Sequence, residues 1–315
     1  MVTRDDVQRA REVIGARLHR TPSFTSASLS SLVGARCVLK AELFQKTGSF
    51  KPRGVLTKLA SLSDEERQRG VIGISAGNHA AALAWGATTE RPSALLVMWT
   101  GANPAKIEAT RAYGADVDLA ASGPAEAFER LAALVEATGR TLVHPFDDPL
   151  VVAGQGTVAL ELLEDAPETT TIVVPVGGGG LISGIVAATA GSRRIVAVEP
   201  ETSRALHDAL AAGAPVPVEP RSIADGLNAP FAGGLAVELC AAQGVESVLV
   251  SEEEIEDGFR FVYRRAKLAC EPAGATGVAA LLAGKILLDS AENVAVIVSG
   301  GNADPQTASA ILARR

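Results

Sequence analysis

The sequence predicts an α/β protein with two lobes, each built on a parallel-rich, twisted sheet with flanking helices. Short β-rich runs alternate with helical patterns along most of the chain, which is typical of βαβ units in a parallel sheet. Three of these runs are followed by small-residue turns and then by helical patterns; the turns lie at residues 75–80, 175–184 and 298–304. The chain has 315 residues, 47% apolar and 21% charged, which is enough to bury a large core.

The first half of the chain supplies a helix and then a regular alternation. Residues 3–18 carry apolar side chains at helical spacing, with Thr3 as the expected N-cap. A strand-like run at 36–44 enters the loop that contains Lys51. Beyond Lys58 the predicted elements are, in order, strands 71–74 and 94–99, helix 104–113, strand 117–119 and helix 125–138.

The second half repeats this alternation. In order, we expect helix 154–164, strand 171–176, helix 181–190, strand 194–198, helix 203–212, strand 247–250, helices 252–268 and 274–288, and a last strand at 294–297. Ser251 and Glu254 form a capping-box pattern at the start of helix 252–268. Residues 213–234 are rich in Pro, Gly and Ala, which predicts a long functional loop.

Composition narrows the functional classes. A net charge of −7 argues against a nucleic-acid partner, which needs a basic surface. Cys37, Cys240 and Cys270 are far apart and lack metal-site spacing, so reduced thiols and a cytoplasmic location are expected. The charged N-terminus does not resemble a signal peptide, and no run approaches the roughly 20 apolar residues that span a membrane.

Lys51 is the first candidate for chemistry. Its backbone is constrained between a Gly-Ser turn at 48–49 and the Pro-Arg-Gly segment 52–54, and Phe50 supplies an apolar neighbour. A partly desolvated lysine amine is a nucleophile that condenses with aldehydes. Most lysines are solvated charges, so this pattern alone leaves both interpretations open.

The glycine run 177–180 admits three interpretations. A dinucleotide site needs Gly-x-Gly-x-x-Gly, and no register of this run fits that pattern. A plain strand-to-helix turn rarely needs four glycines, because each one costs conformational entropy. A phosphate cradle is favoured, because bare amides approach an anion closely and a helix starting at Leu181 presents its positive end.

The turn at 75–79 is either a simple helix N-cap or an anion site. Gly77 permits close approach of a ligand, and the free amides at the start of a helix suit a carboxylate. His79 is as consistent with a structural histidine as with a functional one. Ser299, after the last strand, is a turn residue on spacing alone.

Together these segments resemble the fold-type II pyridoxal-phosphate enzymes, in particular the group of threonine/serine dehydratases and serine racemase. The resemblance covers nearly the whole chain and includes HPFDDP at 144–149, GQGT at 154–157, IADG at 223–226 and EPAGA at 271–275. It implies a tryptophan synthase β-like fold, with a large cofactor-binding domain (1–59 and 148–315) and a small domain (60–147). Longer members carry a C-terminal effector-binding module, for which we expect no room here. A homodimer is the expected assembly.

The resemblance implies pyridoxal 5'-phosphate as the cofactor and gives the candidate residues roles. Lys51 is expected to carry the cofactor and to act as the catalytic base. Asn78 is expected near the cofactor 3-hydroxyl and Ser299 at the pyridine nitrogen. The other expected cofactor contacts, with the glycines on the phosphate, are Phe50, Gly177, Gly178, Gly179, Gly180 and Leu181. The substrate carboxylate is expected at Ser75, Ala76, Gly77, Asn78 and His79.

Two positions depart from the resembled group. Its racemases have a serine at the position of Ala76, which serves as acid and base on the face opposite the lysine; a methyl group cannot transfer a proton, which argues against racemisation. Several members bind a divalent cation through a glutamate at the position of Glu199 and a carboxylate six residues on, where this chain has Ala205. Asp208 is too far along to replace it, so we expect no metal site and regard Glu199 as a doubtful ligand.

The sequence thus predicts a pyridoxal-phosphate-dependent dehydratase that converts L-threonine, L-serine or both to a 2-oxo acid and ammonia by α,β-elimination. Alternatives within the family are a dehydratase for another β-hydroxy amino acid, such as 3-hydroxyaspartate, and a serine racemase-like enzyme. Alternatives of another class are a nicotinamide-binding oxidoreductase and a non-enzymatic ligand-binding protein. The expected partner is a small amino acid, with no nucleic acid and no membrane.

Overall fold

The computed structural model describes residues 1–289 and 291–314. The strands in this part of the chain are β1 Ser23–Thr25, β2 Arg36–Ala41, β3 Val71–Ile74, β4 Ala94–Trp99, β5 Asp116–Ala121, β6 Thr141–Leu142, β7 Thr171–Pro175, β8 Arg194–Pro200, β9 Glu246–Val250 and β10 Asn293–Val298. The helices are α1 Arg4–Ile14, α2 Ala27–Val33, α3 Pro52–Ala60, α4 Asp64–Arg69, α5 Asn78–Glu90, α6 Pro104–Ala112, α7 Pro124–Thr138, α8 Pro149–Asp165, α9 Gly180–Thr189, α10 Ala205–Ala212, α11 Gly234–Ala242, α12 Glu252–Phe261, α13 Pro272–Leu282 and α14 Pro305–Ala313. Short 3₁₀ turns lie at Gly15–Arg17, Glu42–Phe44, Lys46–Gly48 and Asp225–Leu227, and a π-helical turn at Val262–Ala266.

The larger sheet has six strands in the order β1-β2-β10-β7-β8-β9. All neighbours run parallel except β1, which is antiparallel to β2. Strand β10 is the last in the chain but lies between β2 and β7. The carboxyl ends of β7 and β10 are therefore adjacent, which brings the glycine run 177–180 and Ser299 to one edge of the sheet.

The smaller sheet has four parallel strands in the order β5-β4-β3-β6. Strand β3 is central and fully buried. Residues 75–77 follow its carboxyl end, and α5 begins directly after them. The predicted α/β class with parallel-rich sheets and flanking helices is confirmed.

Helices cover both faces of the larger sheet. Along β7, Ile172 and Val174 pack into a core with α1, α8 and α9, whereas Val173 packs into a second core with α12 and α13. All three side chains are fully buried. Alternate residues of one strand thus enter two different cores, which follows from the period-two geometry of a strand and explains why Ile172, Val173 and Val174 are all apolar.

Helix α8 begins at Pro149 and not at Gly154, the predicted start. The side chain of Asp148 caps it by accepting hydrogen bonds from the backbone amides of Leu150 and Val151 at 2.8 and 3.2 Å. Proline suits the first helical position because the backbone N–H that it lacks would have no partner there.

Glycines inside α8 let the neighbouring helices approach closely. A Cβ atom on Gly154 would lie 2.4 Å from the carbonyl oxygen of Arg53, and one on Gly156 would lie 2.5 Å from that of Gly184. These close contacts are possible because glycine has no side chain. Helix α8 thereby supports both α3, which follows Lys51, and α9, which follows the glycine run.

Other predicted ends also differ from the structure, three of them for an identifiable reason. The predicted helix 274–288 ends at Leu282, because Gly284 adopts a left-handed φ of +66°. The predicted strand 36–44 ends at Ala41, where the chain turns so that the buried Glu42 carboxylate reaches Arg53. The predicted helix 252–268 changes to a π-helical turn at Val262.

No helix in the described ranges is long and apolar enough to cross a membrane. Cys37, Cys240 and Cys270 are buried and free, in keeping with the expectation of reduced thiols. The two sheets fall on the two sides of the predicted division into residues 1–59 with 148–315 and residues 60–147. That division itself stays a prediction.

Candidate active site

A cavity of about 600 Å³ collects residues that follow strands of both sheets. Its wall includes the segment after β3, the glycine run after β7, the end of β10, and the loop before α3. Every candidate cofactor and substrate residue predicted from the sequence lies in this wall. The volume is typical of a site for a small organic ligand.

Lys51 immediately precedes α3, whose first residue is Pro52. Its Nζ atom donates a hydrogen bond to the carbonyl oxygen of Pro145 at 2.8 Å and lies 5.2 Å from the centroid of the Phe50 ring. Burial lowers the pKa of Lys51 to about 8, against an opposing contribution from the carboxylate of Glu271. An appreciable fraction of the amine is therefore neutral and nucleophilic near neutral pH.

A buried ion-pair network anchors α3 directly after Lys51. Arg53 donates two hydrogen bonds to the carboxylate of Glu42, both at 2.8 Å, and one from Nη1 to Glu161 at 2.7 Å. Lys40 donates to the other oxygen of Glu161 at 2.9 Å. Two cations and two carboxylates compensate one another, as buried charges require. The network holds the backbone that carries Lys51.

The end of β10 is joined to the lysine loop. The backbone N–H of Phe50 donates to the carbonyl oxygen of Ser299 at 3.2 Å, and Ser49 forms an isolated antiparallel bridge with Gly300. Ser299 is buried in the cavity wall and places a neutral hydroxyl group there. The lysine and this serine, far apart in sequence, are therefore fixed relative to each other by backbone contacts.

The glycine run turns tightly between β7 and α9. Gly179 is the N-cap of α9 with a left-handed φ of +91°, and no side chain caps that helix. A Cβ atom on Gly178 would lie 2.3 Å from the ring of Phe146, and one on Gly180 would lie 2.9 Å from the Phe146 backbone. Both contacts exclude a side chain. The uncapped amides at the positive end of α9 line the cavity and suit an anion.

The segment 75–79 forms a second uncapped helix start. Gly77 is the N-cap of α5, and no side chain caps that helix. The Oγ atom of Ser75 accepts a hydrogen bond from the Gly77 amide at 3.1 Å, which tightens the turn. The Nζ atom of Lys106 lies 3.8 Å from where a Cβ on Gly77 would be. Free amides and a nearby cation suit a second anion.

His79 has a structural environment. Its side chain is buried, and Nε2 lies 2.9 Å from the carbonyl oxygen of Val143, so that nitrogen carries the proton. Nδ1 has no hydrogen-bond partner among the described residues. Burial, together with the nearby positive charge of Lys51, lowers the pKa of His79 to about 3. The imidazole is therefore neutral and engaged with Val143.

Asn78 is held from two sides by residues that the sequence did not single out as site residues. Its Nδ2 donates to Oε1 of Glu271 at 2.7 Å, and its Oδ1 accepts from Nδ2 of Asn302 at 2.8 Å. Glu271 opens the EPAGA segment and Asn302 lies in the turn after β10. Both were visible as parts of motifs, but no local spacing indicates that they meet Asn78.

The loop 213–234 also reaches the cavity. Asp225 forms an ion pair with Lys106 of α6, and both line the wall. The ring of Phe231 packs against Phe146 and Phe128, with centroid distances of 5.5 and 5.8 Å. Composition predicted that this loop is functional, but not which of its side chains approach the site.

Glu199 caps a helix. It is fully buried, and its two oxygens accept hydrogen bonds from the backbone amides of Leu206 and His207 at 2.7 and 2.8 Å, in the first turn of α10. Burial raises the pKa of Glu199 to about 8, opposed by these two bonds. Residues 1–289 and 291–314 contain no group of three or more His, Cys, Asp or Glu side chains placed to hold a metal ion.

Comparison with known proteins points to one family. Residues 16–300 match the family described as pyridoxal-phosphate dependent enzyme. The L-threonine ammonia-lyase of Thermotoga maritima is 42% identical over 308 residues, covering 96% of this chain and 76% of that protein. The structure of maize serine racemase matches with a TM-score of 0.93 and 37% identity, covering 97% of this chain and 95% of that one. The threonine deaminase of T.th. matches with a TM-score of 0.89 and 38% identity, covering 96% and 99%.

The cavity fits pyridoxal phosphate. The glycine run is kept free of side chains by the contacts at Gly178 and Gly180, and the uncapped start of α9 suits a phosphate. The amine of Lys51 suits the aldehyde of the cofactor, and a volume of about 600 Å³ accommodates a ring of that size together with a small amino acid. By sequence, fold and the chemistry of its cavity, the chain belongs to the pyridoxal-phosphate dependent enzyme family.

Proposed function

We propose that this protein is a pyridoxal-phosphate-dependent ammonia-lyase that converts L-threonine or L-serine to a 2-oxo acid and ammonia. The observation that carries the proposal is the placement of the Lys51 amine in one cavity with two uncapped helix starts. One helix start suits the cofactor phosphate, and the other suits the carboxylate of an amino acid. The names of the threonine ammonia-lyase and threonine deaminase relatives support the same reaction.

The residues proposed to hold the cofactor come from separate segments. The amides of residues 177–181 bind the phosphate, Phe50 packs beside the ring, Asn78 meets the 3-hydroxyl and Ser299 meets the pyridine nitrogen. When bound, pyridoxal phosphate supplies a sink for the electrons released at the substrate α-carbon. The Ser299 hydroxyl is neutral and does not force that nitrogen to be protonated. A moderate sink of this kind suits elimination.

Lys51 is the proposed general base. Its depressed pKa makes the neutral amine accessible near neutral pH, and the carbonyl oxygen of Pro145 orients it. The amine removes the α-proton from a substrate whose carboxylate binds at residues 75–79. Lys106 beside Gly77 adds positive charge to that carboxylate site. The β-hydroxyl group takes up a proton and leaves as water, and hydrolysis of the released enamine gives the 2-oxo acid and ammonia.

Ala76 favours elimination over racemisation. Racemisation needs a second proton carrier on the face opposite Lys51, and a methyl group cannot serve. The neighbouring His79 does not replace it, because its neutral imidazole is engaged with Val143 and has a pKa of about 3. The serine racemase-like alternative is therefore disfavoured, although maize serine racemase shares the fold.

The cavity favours a substrate without a side-chain carboxylate. Among its described lining residues, the Lys and Arg side chains are Lys51 and Lys106, and Lys106 is paired with Asp225. Phe128 and Phe146 add apolar surface. The second carboxylate of 3-hydroxyaspartate would lack a cation of its own there. Membership of a pyridoxal-phosphate family likewise disfavours a nicotinamide-binding oxidoreductase.

We also propose a domain division, an oligomeric state and a cellular location for the enzyme. Residues 1–59 with 148–315 form the large domain and residues 60–147 the small one, a division supported by the two separate sheets. A homodimer in the cytoplasm is proposed from the family resemblance and the free cysteines. Analytical ultracentrifugation of the holoenzyme measures the assembly directly, and a monomer there would contradict the dimer.

Lys51→Ala tests the proposed function. Formation of 2-oxo acid from L-threonine and L-serine should fall by several orders of magnitude, because the nucleophile and the base are lost together. Lys46→Ala is the matched control: this lysine lies in the same loop but outside the cavity wall, and its loss should leave the rate nearly unchanged. Borohydride reduction and peptide mapping should label Lys51. A label on another lysine, or no 2-oxo acid from either amino acid, would overturn the proposal.

A further inference from the structure

Glu271 is a buried carboxyl group in the cavity wall that none of the roles above uses. It is 2% exposed, and its backbone N–H donates to the carbonyl oxygen of Gly300 at 3.0 Å. Its Oε1 accepts from Nδ2 of Asn78 at 2.7 Å, whereas Oε2 has no hydrogen-bond partner in the described part of the chain. A buried polar atom without a partner destabilises a fold, so a carboxyl group retained here calls for a functional reason.

A chain of hydrogen bonds determines which way the Asn78 amide points. The carbonyl oxygen of Thr47 can only accept, so Asn302 must direct its Nδ2 there, at 2.8 Å. The same nitrogen donates to Oδ1 of Asn78 at 2.8 Å. Asn78 must therefore direct its own Nδ2 towards Glu271. That nitrogen carries two hydrogens, and the bond to Glu271 uses one of them.

Two glycines make room for this chain of hydrogen bonds. A Cβ atom on Gly300 would lie 2.3 Å from Oε1 of Glu271, and one on Gly48 would lie 2.4 Å from Oδ1 of Asn302. Gly48 also has a left-handed φ of +74°. The side chains of Glu271 and Asn302, at the two ends of the hydrogen-bond chain, are thus packed against backbone. This packing restricts the arrangement of Glu271, Asn78 and Asn302.

We propose that Glu271 is a positioning residue, which holds the Asn78 amide so that its remaining N–H is directed at the ring of the bound cofactor. The inference rests on the proposed function, which assigns Asn78 to the cofactor 3-hydroxyl. Without the acceptor at Glu271, the amide keeps only the restraint at its oxygen, where Asn302 donates, and it can turn about that bond so that its N–H no longer points at the ring. The donor would then be misdirected although Asn78 is still present.

The contact does not require one ionisation state of Glu271. Burial raises the pKa of this carboxyl to about 7, with a further contribution from Asp225, while Lys106 and the Asn78 hydrogen bond oppose the change. A carboxylate and a carboxylic acid both keep an oxygen that accepts from Asn78. A glutamine, whose amide oxygen also accepts, should therefore replace Glu271, whereas an alanine should not.

The test compares Glu271→Ala and Glu271→Gln with the unmodified holoenzyme. Each protein is titrated with pyridoxal phosphate, and the dissociation constant and the absorption spectrum of the bound cofactor are measured. In Glu271→Ala the dissociation constant should rise about 3- to 10-fold, the loss expected for one hydrogen bond, and the absorption maximum should shift. Glu271→Gln should retain the spectrum and bind within about 2-fold. Equal changes in both variants, or none in either, would overturn the proposal.

A control and two further variants separate positioning from a loss of folding. Glu199→Gln changes another buried carboxyl group, which lies outside the cavity wall, and should lower the melting temperature without altering the cofactor spectrum. Asn302→Ala removes the other restraint on Asn78 and should shift the absorption spectrum of the bound cofactor in the same way. This variant keeps the test possible if Glu271→Ala folds poorly. In a double-mutant cycle, Glu271→Ala should add nothing to Asn78→Ala. Additive losses would overturn the proposal.

These readouts are distinct from those of the proposed function. Failure of the proposed function appears as a holoenzyme that binds pyridoxal phosphate and yields no 2-oxo acid. Failure of the inference appears as a Glu271→Ala variant whose cofactor affinity and spectrum equal those of the unmodified protein.

Discussion

The Nζ atom of Lys51 lies 2.8 Å from the carbonyl oxygen of Pro145. The next residue, Phe146, fills the space that the absent side chains of Gly178 and Gly180 leave beside the glycine run. One dipeptide therefore contacts both the reactive amine and the proposed phosphate site. The same segment of loop therefore connects the two places proposed for the aldehyde end and the phosphate end of the cofactor.

The depressed pKa of Lys51 predicts how cofactor uptake depends on pH. The neutral amine is the nucleophile, so the rate at which the apoenzyme captures pyridoxal phosphate should rise with pH up to about 8 and then level off. Stopped-flow absorbance across this pH range measures that rate. A rate that keeps rising towards a pH of about 10 would show a lysine with an ordinary pKa and contradict the buried environment described here.

Two substitutions of Gly179 separate charge from backbone strain. Gly179→Asn and Gly179→Asp share the unfavourable φ of +91°, a Cβ position 2.3 Å from the Cβ of Ala236, and nearly the same side-chain size, so the main difference between them is the charge. The dissociation constant of pyridoxal phosphate should be at least about 10-fold higher for the aspartate variant than for the asparagine variant. The difference should shrink with added salt. Equal constants would mean that the phosphate binds elsewhere.

The ion-pair network below Lys51 should contribute strongly to stability. Arg53→Ala leaves the buried carboxylate of Glu42 and the partly buried carboxylate of Glu161 without their main partner and should lower the free energy of unfolding by about 3–5 kcal/mol. Arg221→Ala is the matched control, because the pair of Arg221 with Glu219 is exposed and should contribute less than about 0.5 kcal/mol. Urea denaturation measures both. Similar effects of the two substitutions would refute the network's role.

His79 should make stability depend on pH in the acidic range. Its pKa falls from 6.5 to about 3 on folding, so the unfolded chain binds a proton that the folded chain does not, and stability is lost as the pH falls below 6.5. Between about pH 6 and pH 4, the unmodified protein should lose about 1.4 kcal/mol per pH unit more than His79→Gln. His19→Gln, at an exposed histidine, is the control. Parallel curves for the unmodified protein and His79→Gln would contradict a buried neutral imidazole.

The fold and the composition of the cavity wall were predictable from local sequence. Small residues after β-rich runs mark the carboxyl ends of strands, and parallel topology brings such ends together, so the turns that contain Asn78, Gly178 and Ser299 were expected to form one site. The individual roles of Asn78 and Ser299 were expected from the family resemblance. The start of α8 was predicted five residues late, at Gly154, although Asp148 and Pro149 form the pattern of a cap followed by a first-turn proline. Gly154 and Gly156 serve tertiary packing, since they permit close contact with α3 and α9.

The contacts among site residues were not predictable in the same way. Glu271 meets Asn78 across 193 positions of sequence, and Lys106 meets Asp225 across 119. Neither pair has a periodic spacing or a turn signal, because the contact depends on how separate elements pack. Local spacing does not predict that Glu199 caps α10 either. From the sequence, that residue was only a doubtful metal ligand.

The stereochemical outcome with L-serine tests the central claim most directly. In the proposed mechanism Lys51 transfers protons on one face, and Ala76 provides no proton carrier on the other, so the unmodified holoenzyme should convert L-serine to pyruvate and ammonia with negligible D-serine. Coupled assay of pyruvate together with chiral chromatography of the remaining serine measures both products in one incubation. Pyruvate without D-serine is the predicted result. D-Serine formed at a rate comparable to that of pyruvate would show that another residue serves the opposite face and would contradict the account.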